Sequence, residues 1–124
     1  MVQNETFYFD TYAVFEILRS NANYLKYAKS NVITSKLNLF ELCYTLMRDF
    51  GEKDTIEKVK KYYKFVRDFN LAVLTNAAKF KLMNRSLNLS LVDCVGYFIA
   101  KSMGVKFLTG DEKFRDMPNV EFVK

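Results

Sequence analysis

Histidine is absent from this chain of 124 residues, which excludes zinc–histidine sites and histidine-based general-base catalysis. Cysteine is nearly absent. Cys43 and Cys94 are too few for a disulfide framework and lie in apolar, helix-like surroundings, so they read as reduced core thiols of a cytoplasmic protein. Pro118 is the single proline, and no linker, repeat or low-complexity stretch interrupts the sequence. Residues 1–124 are therefore expected to form one domain, long enough to bury a real core. No apolar run is long enough to span a membrane, and Met1-Val2-Gln3-Asn4-Glu5 lacks the basic start of a secretion signal.

Apolar residues make up half of the chain and aromatics 16%, which excludes a disordered segment. The formal charge is +5, from 19 basic and 14 acidic residues. Setting aside four acids singled out below leaves 19 basic against 10 acidic, a balance of +9. A local negative pocket in a basic surround suits a metal enzyme acting on a polyanion, although an ordinary basic surface has the same composition.

Short apolar runs alternate with longer helical patterns. Strands are expected at Phe7 to Phe9, Val32 to Thr34, Leu71 to Leu74 and Val105 to Thr109, with Val120 to Val123 as a short fifth. Helices are expected from about Tyr12, from Lys36 to Phe50 with Gly51 just past the end, and from Asp54 to Phe69. Two more run from Thr75 to about Leu87 and from the Ser90 cap to Met103. This alternation predicts a three-layer α/β/α sandwich around a mainly parallel sheet of four to five strands. Gly96, inside an apolar helix, marks a close approach to the sheet or another helix.

Four acids stand where carboxylates are unwelcome. Asp10 ends Phe7-Tyr8-Phe9, Glu41 interrupts the apolar helix Leu37 to Met47, Asp93 follows Leu91-Val92, and Asp111 follows Phe107-Leu108-Thr109-Gly110. A buried carboxylate needs a partner, and four in one small chain suggest a shared divalent cation. Ligands of open α/β sheets bind beyond the carboxyl ends of the strands, where Asp10 and Asp111 fall, with Asp93 in the first turn of its helix and Glu41 on a longer stem. Taken singly, Asp10 reads equally as a helix cap, Asp111 as a turn residue and Asp93 as the third position of a capping box with Ser90. Glu41 has no such simple reading. Carboxylates without histidine select hard ions such as Mg²⁺ or Mn²⁺, one or two of which support attack of water on phosphorus.

The motifs Phe7-Tyr8-Phe9-Asp10-Thr11, Leu39-Phe40-Glu41-Leu42, Ser90-Leu91-Val92-Asp93 and Leu108-Thr109-Gly110-Asp111 occur in this order, followed by Phe114 and Val120-Glu121-Phe122-Val123. In that order and spacing the chain resembles the PIN-domain ribonucleases, particularly the small VapC-type toxins of toxin–antitoxin pairs. The resemblance implies that Asp10, Glu41, Asp93 and Asp111 hold Mg²⁺ or Mn²⁺ and that RNA phosphodiester bonds are hydrolysed there. It also implies an antitoxin partner and a homodimer. Thr109 would reach the water shell of the metal. Where many members of the family carry a further acid, this chain has Lys113; Glu112 is a possible substitute, and either residue is a candidate substrate contact.

The line Lys60, Lys64, Arg67 would serve RNA phosphates or simply be a solvated helix face. Tyr62, Tyr63, Phe65 and Phe69 would meet an antitoxin, a second protomer or the core. Alternatives to the toxin are a PIN nuclease of RNA processing and a non-catalytic PIN-like binding module. A phosphoryl-accepting receiver or Asp-nucleophile phosphatase ranks below these, because Asp10-Thr11-Tyr12 shows neither adjacent acids nor Asp-x-Asp.

Overall fold

Residues Thr6–Phe9 form the first strand, β1, and alternation along it sets the architecture: Phe7 and Phe9 face one side, Tyr8 the other, and all three are buried. A strand apolar on both sides needs cover on both faces. A computed structural model supplies this picture for residues 4–124; Met1–Gln3, part of the segment read above as lacking a secretion signal, lie outside the described residues. Along the chain follow α1 (Thr11–Leu18), β2 (Asn31–Ile33), α2 (Lys36–Phe50), α3 (Glu52–Tyr63), α4 (Leu71–Met83), α5 (Leu91–Ser102), β3 (Lys106–Thr109) and β4 (Val120–Phe122). The sheet is parallel throughout, in the order β2-β1-β3-β4.

That order places a switch of direction between β1 and β3: the chain leaves β1 toward β2 and later returns past β1 to β3. Two apolar layers result. Phe7, Phe9 and Leu108 pack with Ala13 and Val14 of α1, with Leu39, Leu42 and Leu46 of α2, and with Val59 of α3. Tyr8 and Phe107 pack with Val73 and Ala77 of α4 and with Cys94, Tyr97 and Ile99 of α5. The expected three-layer sandwich is therefore present, with four strands. Among the described residues no helix is long and apolar enough to cross a membrane. Both cysteines are free, Cys94 buried and Cys43 half-buried.

Two segments differ from the sequence expectation. Leu71 to Leu74 is the first turn of α4, not a strand. Asn70 caps it by accepting a hydrogen bond from the Val73 N–H at 3.1 Å, while Leu71 and Leu74 are exposed. A short apolar run carries no period of its own, and here the cap decides. The helix expected to reach Phe69 stops at Tyr63. Beyond it, Val66 pairs with Thr34 at the sheet edge, the Arg67 N–H donating to the Thr34 carbonyl at 2.9 Å. Lys60, Lys64 and Arg67 are exposed, but no common helix carries them. Of the four aromatics beside them only Tyr63 is exposed; Tyr62 and Phe65 pack edge to face, and Phe69 lies against the α4/α5 layer.

Candidate metal centre

Three of the four acids are placed by a local cap or turn, and the fourth by its position on α2. Asp10 directly follows β1 and caps α1, its Oδ1 accepting from the Ala13 N–H at 2.8 Å. Ser90 caps α5 through the Asp93 N–H at 3.0 Å, which sets Asp93 in the first turn. Asp111 follows β3 and opens a 3₁₀ turn, its Oδ1 accepting from the Lys113 N–H at 3.0 Å. Glu41 lies on α2 and accepts from the Thr11 hydroxyl at 2.7 Å. The cap and turn readings are thus correct for Asp10 and Asp111, and the cap at Ser90 is formed around Asp93. They do not compete with the clustered reading, because all four acids line one open cavity of about 420 Å³ beside the carboxyl ends of β1 and β3. Thr11, Tyr12, Gly110, Glu112 and Lys124 complete its wall.

The electrostatics tie the four together. Burial, then the charge of Asp93, holds the Asp10 carboxyl well above the usual carboxylate range; Thr109 and the Ala13 N–H oppose this, and Asp111 adds to it. Burial pushes Asp93 up to about 6, with Glu41 and Asp111 raising it further and Ser90 and Lys113 opposing. Among the described residues none of the four acids makes an ion pair. Four carboxylates with mutual repulsion, one fully buried, and no softer ligand form a donor set suited to a hard divalent ion. Among the described residues no group of three or more acids or cysteines stands in ligand geometry; Asp10, Glu41 and Asp111 each accept a hydrogen bond from a protein donor.

Of the three other candidates, Glu112 lines the cavity, and Thr109 and Lys113 do not. Thr109 is fully buried and does not line the cavity; its hydroxyl donates to Asp10 Oδ2 and accepts from the Asp111 N–H, so it links two acids instead of facing a metal's water shell. Glu112 reaches the wall, but Arg115 and Lys124 hold its carboxylate at 2.7 Å each and push it down to about 2. Lys113 turns its amine to the Asn88 carbonyl at 3.0 Å, away from the cavity wall, though its charge still favours ionised Asp93. Sequence reasoning missed Thr11, Tyr12 and Lys124 on the wall. It also missed Asn38, whose signal was a polar residue one turn before Glu41 in an apolar helix.

A pH dependence follows. Asp93 titrates at about 6 in the fold against an ordinary 3.8, so between those values the folded chain binds the proton more tightly. The metal-free protein is therefore expected to lose stability as pH rises from about 4 to about 6 through this group, and Asp10 pushes the same way. Denaturant midpoints in EDTA across that range, for wild type and Asp93→Asn, isolate the effect. The wild type should lose ground relative to the variant as pH rises; parallel curves would contradict the shift.

The PIN domain family model matches residues 7–120, and the chain belongs to the PIN domain family. Its fold is that of the VapC toxins. It is similar to VapC20 of Mycobacterium tuberculosis, described as a sarcin-ricin loop cleaving toxin, with a TM-score of 0.75 at 18% identity over 95% of this chain and 99% of that one. It is similar also to chains of two DNA-bound toxin–antitoxin complexes. For VapBC2 of Rickettsia felis, bound to a promoter fragment, the TM-score is 0.71 at 16% identity, covering 96% and 99% of the two chains. For VapBC of Salmonella typhimurium it is 0.70 at 16% identity, covering 95% and 96%. No curated protein sequence matches the chain.

Proposed function

We propose that this chain is a Mg²⁺- or Mn²⁺-dependent endoribonuclease, a single PIN-like nuclease domain acting as the toxin of a toxin–antitoxin pair. The observation that carries the reading is the convergence of Asp10, Glu41, Asp93 and Asp111, from four different elements, on one cavity at the switch point of the sheet. One or two divalent ions held by these carboxylates would supply the charge that activates water and offsets the negative charge developing at phosphorus. The chain's own part is to place the acids. Thr109 fixes Asp10 against Asp111, Ser90 sets Asp93, and Thr11 holds Glu41. Lys124 on the wall and the basic balance of the remaining surface favour a polyanionic substrate.

The toxin reading is favoured over an RNA-processing role by the surface beside the site. The all-round apolar character of α2 is only partly core: Phe40, Tyr44, Met47 and Phe50 are exposed, as are Ile56 and Tyr63 of α3. Phe40 and Tyr44 share a depression with Thr11 and Glu41. An apolar strip reaching the acids is a surface that an antitoxin would cover. The complexes of similar fold from R. felis and S. typhimurium support the same assignment. A homodimer belongs to this reading.

Mn²⁺ should stabilise the fold by mass action, by about 2.7 kcal/mol at a hundred times its Kd, which raises the melting temperature by about 10 °C for a chain of this size. Melts with Mn²⁺ and with EDTA check it, beside incubation of each sample with RNA. Cleavage only with the ion is expected. Identical melts and intact RNA in both would contradict the proposal.

A further inference from the structure

A chain of buried polar groups runs from the far side of β1 to the Glu41 carboxylate, and every link that can be assigned points the same way. Tyr8 and Ser35 both direct their hydroxyls at Asn38 Oδ1, Ser35 at 3.3 Å. With its oxygen fixed by two donors, the Asn38 amide must turn its NH₂ outward, and Nδ2 donates to the Thr11 hydroxyl at 3.1 Å. The one proton of that hydroxyl has two acceptors in reach, Glu41 Oε1 at 2.7 Å and the Asn38 carbonyl at 3.2 Å, and the shorter, charged partner takes it. Tyr8, Ser35 and Asn38 are fully buried, and no buried side-chain polar atom among the described residues lacks a partner. Burial keeps the Tyr8 hydroxyl protonated well above its ordinary range, so it remains a donor.

The path depends on an absence on the opposite face. A Cβ at Gly96 of α5 would stand 2.7 Å from Tyr8 Cε1 and 3.1 Å from its hydroxyl oxygen. Only glycine leaves room for the ring to lie beneath α5 and extend its hydroxyl to α2. A short polar chain would have been enough to satisfy a helix cap. The use of a core tyrosine, a missing methyl and an asparagine one turn before Glu41 points to a fixed orientation of that carboxylate.

We infer that Asn38, oriented by Tyr8 and Ser35 and acting through Thr11, is a positioning residue for Glu41. It fixes Oε1 of that carboxylate at the cavity wall, so that less of the side chain has to be ordered when a divalent ion binds. The inference rests on the reading of the four acids as a metal site.

Mn²⁺ titration calorimetry on the full chain tests it. Asn38→Asp keeps the oxygen that Tyr8 and Ser35 address but replaces the donor to Thr11 with an acceptor, drawing the Thr11 hydroxyl away from Glu41. Thr11→Val deletes the last link at nearly constant volume, and Thr11→Ser restores it. The first two are expected to weaken Mn²⁺ binding about ten- to a hundredfold, and Thr11→Ser to bind like wild type. In a Glu41→Gln background neither substitution should weaken binding further, a dependence that a merely structural role would not produce. Should Asn38→Asp fail to fold, the Thr11 variants carry the test alone. Wild-type affinity in Thr11→Val, or losses of the same size with and without Glu41, would overturn the positioning role while leaving the metal site standing. Wild-type affinity in Glu41→Gln itself would overturn both.

Discussion

Asp10→Asn should abolish RNA cleavage, by about a thousandfold or more, while leaving the metal-free protein folded and slightly more stable. The two effects have one cause. Asp10 is fully buried, repelled by Asp93 and Asp111 and paired with no cation among the described residues. Its amide analogue keeps an oxygen for the Ala13 N–H and so retains the cap of α1, while its NH₂ faces the Thr109 hydroxyl, which must turn from donor to acceptor. What disappears is a negative charge, which weakens the hold on a divalent ion. If that ion supplies at least about 4 kcal/mol of transition-state stabilisation, the rate falls about a thousandfold. Cleavage assays beside melts in EDTA read both effects. Activity within tenfold of wild type would remove Asp10 from the site, and a melting temperature lower by several degrees would show that the carboxylate stabilises the metal-free fold.

Gly110→Ala should have the largest effect on folding. A Cβ there would lie 2.2 Å from Tyr12 Cε1 and 2.5 Å from the Val123 carbonyl oxygen, so both a ring on the cavity wall and the backbone beyond β4 must move. The ring alone could yield; the backbone is pinned, because the Val123 N–H donates to the Thr109 carbonyl at 2.9 Å. A loss of about 3 kcal/mol is expected, or about 10 °C in melting temperature. Gly51→Ala is the natural comparison. It sits at φ +88° with no atom within 4 Å of the added carbon, so it meets backbone strain alone and should cost about 1 kcal/mol. Equal losses for the two would show that the contact at Gly110 relaxes freely.

The readable parts of the sequence were those in which a local rule and the global fold agree. β1 and β3 are continuous apolar runs that end in Asp10 and, beyond Gly110, in Asp111, and the switch-point rule carried both acids to one edge. Gly51 and Ser90 bounded their helices because caps are local chemistry. Leu71 to Leu74 misled because only Val73 of the run serves the core: Leu71, Ala72 and Leu74 are exposed, and only Asn70 announced the helix. Glu41 was selected for a reason the structure revises. Its apolar neighbours Phe40 and Tyr44 face outward, so the carboxylate lies at the border of an exposed strip and not inside a core helix. The Tyr8–Asn38–Thr11 connection was illegible, since it joins residues about thirty positions apart through a space that a glycine on another helix leaves open.

Under the proposed function the four acids direct water, and no group of the RNA itself, at phosphorus. The most direct measurement is the chemistry of the new ends after RNA is cut by purified wild-type protein with Mn²⁺, set beside Asp10→Asn and an EDTA control. Hydrolysis by water predicts cuts made only by the wild type with the ion, leaving a linear phosphate on one fragment and a hydroxyl on the other. Cuts that persist in EDTA or in Asp10→Asn, or fragments ending in 2′,3′-cyclic phosphate, would contradict it.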